Sequence, residues 1–367
     1  MPDPSIARFR RVISSAYASL EERRQEVNDL NVFPVADGDT GDNMAMTLRA
    51  VMEELDRLDG AELDEIGRTE LVQTLARAAL MGARGNSGVI LSQIVRGAAE
   101  ELASRPGELV DPVLVAAAFA SAADAAYDSV REPAEGTMLT VFREMAHSLA
   151  RQLAHLEADK SRLGRDVSES EQDEILAAVL ERAIEDGERA VARTPEQLEV
   201  LRESGVVDAG GHGLVLILAG VVAGLRGDGA ALPEVPRHEA PRLTQPHHED
   251  SRYRYCTNFI VSGSGLSNRL YMPRLEALGD SVLVVGDDAT LKVHVHTDEP
   301  ERAVALFDGV GAVTNLDVAD MREQMAERSA RLGGATGRAQ TGAIAVAAGA
   351  GLERLFAELG ANVVPGG

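Results

Sequence analysis

Two carboxylates two residues apart in a glycine-rich turn, Asp37 and Asp39 of N-V-F-P-V-A-D-G-D-T-G-D-N-M (Asn31 to Met44), are the residues of this chain best suited to chemistry. The turn runs straight into an amphipathic helix. Acidic metal ligands therefore sit beside the unpaired N–H groups of a helix N-terminus, where a divalent cation and phosphates can be held together. The same residues also make an ordinary Asx turn and cap, since Asp and Gly are favoured there by conformation alone. An EF-hand is excluded, because Gly41 and Asp42 fall where that loop needs an acidic or amide ligand and a glycine. A third acidic ligand is not evident, and Asn31 is the nearest oxygen donor expected to complete the set.

Two further glycine-rich turns open helices. Gly85-Asn86-Ser87-Gly88 offers backbone N–H groups and a hydroxyl as an anion cradle, or is no more than one helix stopping and the next starting. Asp208-Ala-Gly-Gly carries the same two readings. A separate group is Cys256, His294 and His296. The two histidines are two apart on an expected strand, so both point to one face while Val293 and Val295 point to the other. If the strand of Cys256 neighbours that of the histidines, the three can ligate zinc, with Asp298 or water completing four-coordination; otherwise they are a buried thiol and a polar strand face. His212 lies beside the third turn as a capping or solvated side chain, and His247 and His248 are expected in solvent.

The elements that position these turns read as eight helices over residues 1–226. Apolar side chains at helical spacing mark Ser5 to Val27, Met44 to Leu58 and Leu71 to Ala79. Further helices run from Val89 to Ala103, from Asp111-Pro112, from just after Glu135-Gly-Thr137, from Ile175 to Ala192, and over the apolar run after Asp208. Mostly short links imply an antiparallel bundle, in which even-numbered helices start at one end. Asp37, Asp39, Asn86, Ser87, Thr137, Asp208 and Gly210 should then converge. Polar residues between Asp159 and Asp173 read as a mobile connection.

Residues 227–250 carry Pro233, Pro236, Pro241 and Pro246 and read as a linker. A small α/β domain over 251–333 follows, with strands at Tyr253 to Val261, Ser281 to Val285 and Leu291 to Thr297 and helices at Pro300 to Phe307 and Val318 to Arg331. Residues 334–367 read as the beginning of a further α/β domain: strand Ala343 to Ala348, helix Leu352 to Leu359, strand Asn362 to Val364. So short a fragment cannot bury a core alone, which points to a truncated domain or to an end packed on its neighbour. Gly349-Ala-Gly351 lacks the third glycine of a dinucleotide fingerprint, since Arg354 stands there.

Composition narrows the function classes. A formal net charge of -23 argues against nucleic acid or an anionic membrane as partner and makes any polyphosphate ligand depend on divalent cations. The only lysines, Lys160 and Lys292, do not follow a glycine, so a Walker A loop is absent, as is a protein-kinase Val-Ala-Ile-Lys strand. Aromatic residues make up 3% of the chain and Trp is absent, which favours helix packing by aliphatic side chains. The single Cys256 excludes an internal disulfide and fits a reducing, cytoplasmic compartment. No signal peptide is read at the N-terminus, and Leu214 to Leu225 is shorter than the roughly 20 residues a bilayer span needs, so no transmembrane segment is expected.

Taken together, N-V-F-P-V-A-D-G-D-T-G-D-N-M, A-R-G-N-S-G-V-I-L-S-Q-I-V-R-G and G-V-V-D-A-G-G-H-G resemble the ATP-binding domain of the dihydroxyacetone kinase L-subunit superfamily. With Y-R-Y-C-T-N-F and K-V-H-V-H-T-D-E-P, the chain resembles most closely the A-type catalytic chains of the bacterial fatty acid kinases over essentially its whole length. The resemblance implies an eight-helix domain binding ATP with two Mg²⁺ ions, a middle domain holding Zn²⁺, a homodimer, and phosphorylation of a fatty acid carboxylate presented by a separate fatty-acid-binding protein. Carried over by motif, Asp37 and Asp39 are the Mg²⁺ ligands, Thr40 and Asn43 lie at the phosphates, and Asn86, Ser87 and Gly88 form the phosphate loop. Thr137, Met138, Asp208 and Gly210 fall near the nucleotide, and Cys256, His294 and His296 bind zinc. The glycerone-type kinases carry a further Asp upstream of the acidic pair, where this chain has Asn31. Arg84, beside the phosphate loop, is the candidate for neutralising transition-state charge, or else a cation at a helix C-terminus. Rival readings are a glycerone-type small-molecule kinase and a regulatory protein that holds nucleotide without turnover.

Overall fold

The computed structural model describes residues 4–58, 63–164, 166–227, 229–238 and 252–335, and beyond these 344–347, 349, 351–352, 355–356 and 362–365. His247, His248 and Arg354 lie outside the described residues. The chain divides into two compact units, Met1–Arg328 and Ser329–Gly367. The helical region and the first sheet both fall within the first unit.

Eleven helices stand among the described residues ahead of the sheet. They are α1 (Pro4–Glu22), α2 (Arg24–Leu30), α3 (Thr40–Arg57), α4 (Leu63–Gly82), α5 (Gly85–Ser104), α6 (Pro112–Asp128), α7 (Met138–Leu153), α8 (Ala158–Ser161), α9 (Glu169–Gln197), α10 (Glu199–Ser204) and α11 (Ala209–Arg226). The eight expected helices are all present, and the other three are short. Arg23 leaves helical geometry (φ -115°, ψ 14°) and separates α1 from α2, a break that no Pro or Gly announces. The polar stretch expected as a mobile connection contains α8 and the start of α9. Ser168 caps α9 by accepting from Glu171 N at 3.2 Å, and Glu169 and Glu171 suit the positive helix end, so what read as loop polarity is N-terminal charge.

Helix α11 packs on α1, α9 and α7 at the centre of the bundle. It alone among the described residues is long and apolar enough to cross a membrane, yet most of it is buried in the protein. Leu214, Val215, Leu218 and Val222 are buried here, each contributing about 1.5–3 kcal/mol, more than the roughly 0.5–2 kcal/mol of the Asp208 cap that starts the helix. Packing holds the helix, and the cap sets where it begins.

After the helices come β1 (Tyr255–Gly263), α12 (Asn268–Glu276), β2 (Gly279–Gly286), β3 (Thr290–Thr297), α13 (Pro300–Ala305), β4 (Gly311–Asp320) and α14 (Met321–Ala335). The strands form an antiparallel sheet in the order β2-β3-β1-β4. Two elements were not expected: α12, which contains Pro273, and β4, an edge strand whose mixed exposure and Asn and Asp content hide its period. Residues 318–320 belong to β4, so the following helix starts at Met321. One sheet face packs Phe259, Val261, Val284, Val293 and Val295 against Tyr271, Leu275 and Phe307. Leu283 and Val285 point the other way and join the core of the helical bundle. The second unit contains β5 (Ile344–Ala347) and β6 (Asn362–Pro365), paired parallel.

Candidate functional site

A cavity of about 580 Å³ lies between the starts of α3, α5, α7 and α11 and the bundle-facing side of the sheet. All four helices begin at one end, as the alternation of an up-down bundle requires. Their first turns bring unpaired N–H groups toward one space, an anion-favouring arrangement.

The acidic turn is held in shape from below by α2. Asn31 Oδ1 accepts from Gly38 N (3.1 Å) and Asp39 N (3.2 Å), while its Nδ2 donates to Val35 O (2.9 Å). Asn28 Oδ1 accepts from Gly41 N (2.7 Å) and Asp42 N (3.2 Å), and Arg24 pairs with Asp42. Gly38 has φ +74°, and a Cβ there would lie 2.7 Å from Arg328 Cδ. The fully buried Arg328 passes beneath the turn and donates to Asp29 O at 2.7 Å. Burial, and next the charge of Asp39, push the Asp37 carboxyl well above its ordinary range. Burial also raises Asp39, against a hydrogen bond from Asn43. Two carboxylates held together against their own repulsion form a site that a divalent cation relieves.

The other turns line the same cavity. Gly85 has φ +57°, and a Cβ there would lie 2.2 Å from Asn43 Nδ2, so only glycine lets α5 start this close to α3. Ser87 Oγ donates to Thr40 O at 3.4 Å. Thr137 stands at the N-cap of α7 in extended geometry and donates to Ala134 O (2.8 Å), and Met138 packs beside Gly210. Asp208 caps α11, accepting from Gly211 N at 2.7 Å, and burial raises its carboxyl to about 7.

The opposite wall is the sheet. Register pairs Cys256 with His296 and Asn258 with His294, so all four share one face. One ligand atom from each of Cys256, His294 and His296 lies within 4.8 Å of the others. Asn258 Oδ1 accepts from Gly85 N (3.1 Å) and lies 2.9 Å from His294 Nδ1, which assigns the ring proton to Nδ1. His294 Nε2 is then a buried lone pair with no hydrogen-bond partner among the described residues. Burial, with His296 and Lys292 nearby, holds His294 well below its ordinary range and therefore neutral. A neutral imidazole oriented through its second nitrogen by an amide, beside a thiol and a second imidazole, is the donor set of a tetrahedral soft-metal site. Burial, and next the charge of Asp39, push the Cys256 thiol well above its ordinary range.

Three expected site residues stand elsewhere or act differently. Asn31 lines the cavity, and its oxygen accepts from the Gly38 and Asp39 N–H groups, so here it braces the turn. Gly88 packs α5 on α3, where a Cβ would lie 2.9 Å from Thr47 Oγ1. The Arg84 side chain is half exposed in a neighbouring cleft, 3.3 Å from Asp317 Oδ1. The bracing residues Asn258 and Arg328 carried no signal in the sequence, because each acts on the site from an element far away in the chain. Asn28 alone could have been found, as one of two asparagines three apart just before the acidic turn.

Residues 34–223 match the model of the DAK2 domain. The chain belongs to that family. Residues 252–328 match a second model, the FakA-like middle domain of fatty acid kinases, which covers the sheet and its Cys-His-His group. Protein YloV of Bacillus subtilis is 32% identical over 97% of this chain and 64% of its own length. An uncharacterized protein of Staphylococcus haemolyticus is 31% identical over 98% of this chain and 64% of its own length. The chain therefore spans just under two thirds of the curated relatives it matches. Both family matches contribute walls to the one cavity.

Proposed function

We propose that this chain is the nucleotide-binding catalytic part of an ATP-dependent kinase that phosphorylates the carboxylate of a fatty acid held by a separate fatty-acid-binding protein, giving acyl phosphate and ADP in the cytoplasm. The observation that carries this reading is the meeting of Asp37 and Asp39 with four helix N-termini around one cavity. Family membership and the second domain match support a phosphotransferase.

Asp37 and Asp39 would hold Mg²⁺, and Cys256, His294 and His296 would hold Zn²⁺. When bound, these cations neutralise phosphate charge and fix the thiolate of Cys256. Thr40, Asn43, Asn86 and Ser87 line the space for the phosphates, and Thr137, Met138, Asp208 and Gly210 the space for the rest of the nucleotide. An acceptor carboxylate, with an ordinary pKa of about 4.3, is ionised at neutral pH and needs no base. One of its oxygens bonds to the γ-phosphorus as the bond to the ADP oxygen breaks, so the work left to the protein is alignment and charge stabilisation.

The test is acyl phosphate formation from ATP by the protein with a lipid-loaded carrier, trapped as hydroxamate. Product that depends on Asp37 and Asp39 is expected; none with any cognate carrier would overturn the reading. A hydroxyl acceptor is the second reading, favoured by Asp208, whose raised carboxyl could serve as base. Its oxygen is engaged with Gly211 N, which weighs against that role. Rates with a hydroxyl substrate that collapse in Asp208→Asn would reverse the preference.

A further inference from the structure

Behind the wall formed by Asn258 lies a second cleft of about 410 Å³ that the nucleotide reading does not use. Its polar lining is Arg49, Arg84 and Lys292, with Glu53, Asp317, Asn258 and Asn315. Three cations thus meet two carboxylates there, in a chain of net charge -23. Arg49 is steadied by Tyr17 OH at 2.8 Å, and Arg84 by Asp317.

Lys292 is the decisive residue. It is one of two lysines in the chain, is only 2% exposed, and shares with His294 and His296 the same face of β3. Among the described residues it makes no hydrogen bond or ion pair, although Asp317 and Glu53 share the cleft with it. Its ammonium opens on the cleft, and Asp317, the acid whose charge acts on it, is already paired with Arg84, so an incoming anion would be its direct partner. The apolar floor supplied by Met46, Ala50 and Met81 gives no alternative partner.

We propose that this cleft is a second oxyanion site, taking a phosphate or carboxylate group on Lys292 with Arg84 beside it. Asn258 connects it to the main cavity, since its oxygen receives Gly85 N and faces His294 Nδ1. Occupancy here would bear on the start of α5 and on the Cys-His-His wall.

The experiment is calorimetric titration of the intact protein with inorganic phosphate and, separately, with acetate. Chelator is present and nucleotide absent, so that the acidic turn has no cation with which to bind anions. Millimolar or tighter binding of one anion is expected, weakened about tenfold or more in Lys292→Met and several-fold in Arg84→Gln, and unchanged in Asp39→Asn. The anion that binds more tightly identifies the phosphate or the carboxylate source. Binding that survives Lys292→Met, binding lost in Asp39→Asn instead, or no binding of either anion would overturn the proposal. Thermal melting checks the fold of Lys292→Met, and half-exposed Arg84→Gln keeps the test valid if that variant unfolds. Because no ATP is involved, failure here leaves the kinase reading untouched, and failure of kinase activity leaves this site standing.

Discussion

The two walls of the cavity are built by different means. On the bundle side, the acidic turn and three helix starts are contiguous pieces of sequence, each shaped by its own glycines and caps and then braced by Asn28 and Asn31. On the sheet side, Cys256 and the two histidines are 38 and 40 residues apart in sequence and meet only because β1 pairs with β3 in one register. A local turn tolerates shifts elsewhere in the chain. A strand face does not, since a one-residue slip of β1 against β3 would turn Cys256 and Asn258 away from the face that carries His294 and His296.

The largest expected effect separates the walls outright. Asp37→Ala with Asp39→Ala should weaken Mg-ATP binding by about a hundredfold or more, while Cys256→Ser abolishes bound zinc and leaves nucleotide affinity within about threefold. Calorimetry and elemental analysis read the two losses, and a parallel loss in both variants would mean one composite metal site. Next comes Asn258→Ala, which removes the amide that orients His294. It also removes a donor to Cys256 Sγ (3.3 Å), and should cut metal affinity about 10–100-fold with all three ligands still in place. Competition with a chromophoric chelator measures it, and unchanged affinity would deny Asn258 its orienting role.

Asn31→Ala acts on the other wall. Losing a brace to Gly38, Asp39 and Val35 should cost about 2–3 kcal/mol in denaturant unfolding and raise the KM for ATP more than it lowers kcat. A purely kinetic loss with full stability would return Asn31 to the metal.

The smallest effect is a pH dependence. The Asp208 carboxyl is raised to about 7 in the folded protein and titrates near 3.9 when unfolded. Between those values the folded state binds more protons, so this group's contribution to stability falls as pH rises from about 4 to about 7. Asp208→Asn keeps a capping oxygen and removes the charge. It should match the wild type near pH 5 and exceed it by roughly 1–3 kcal/mol at pH 8 in nucleotide-free unfolding. Equal stability at both pH values would remove the buried charge from the account.

Much of the helical framework was legible because amphipathic spacing and Pro or Gly punctuation act locally. The break at Arg23 was not, since Arg23 has ordinary helix propensity and yields to tertiary packing. Likewise β4 was hidden because an edge strand is half in water and keeps no clean alternation. Arg84 illustrates the same limit at the site. Its place beside Gly85-Asn86-Ser87 aimed it at the phosphates, but at the N-cap its extended backbone (φ -137°, ψ 156°) sends the side chain toward Asp317 instead.

By itself the sequence determined the kinds of groups present: a carboxylate pair before a helix, further glycine-rich helix starts, and a Cys-His-His set on strands. Spacing and residue type carry that information, because capping, turn geometry and strand alternation extend over only a few residues. Tertiary structure alone decided that the two sets face each other across one cavity, that Asn31 braces the turn, and that Lys292 stands behind Asn258 with no hydrogen bond or ion pair among the described residues. Those facts depend on which sheet face docks on which end of the bundle, and docking is fixed by packing summed over elements far apart in the chain.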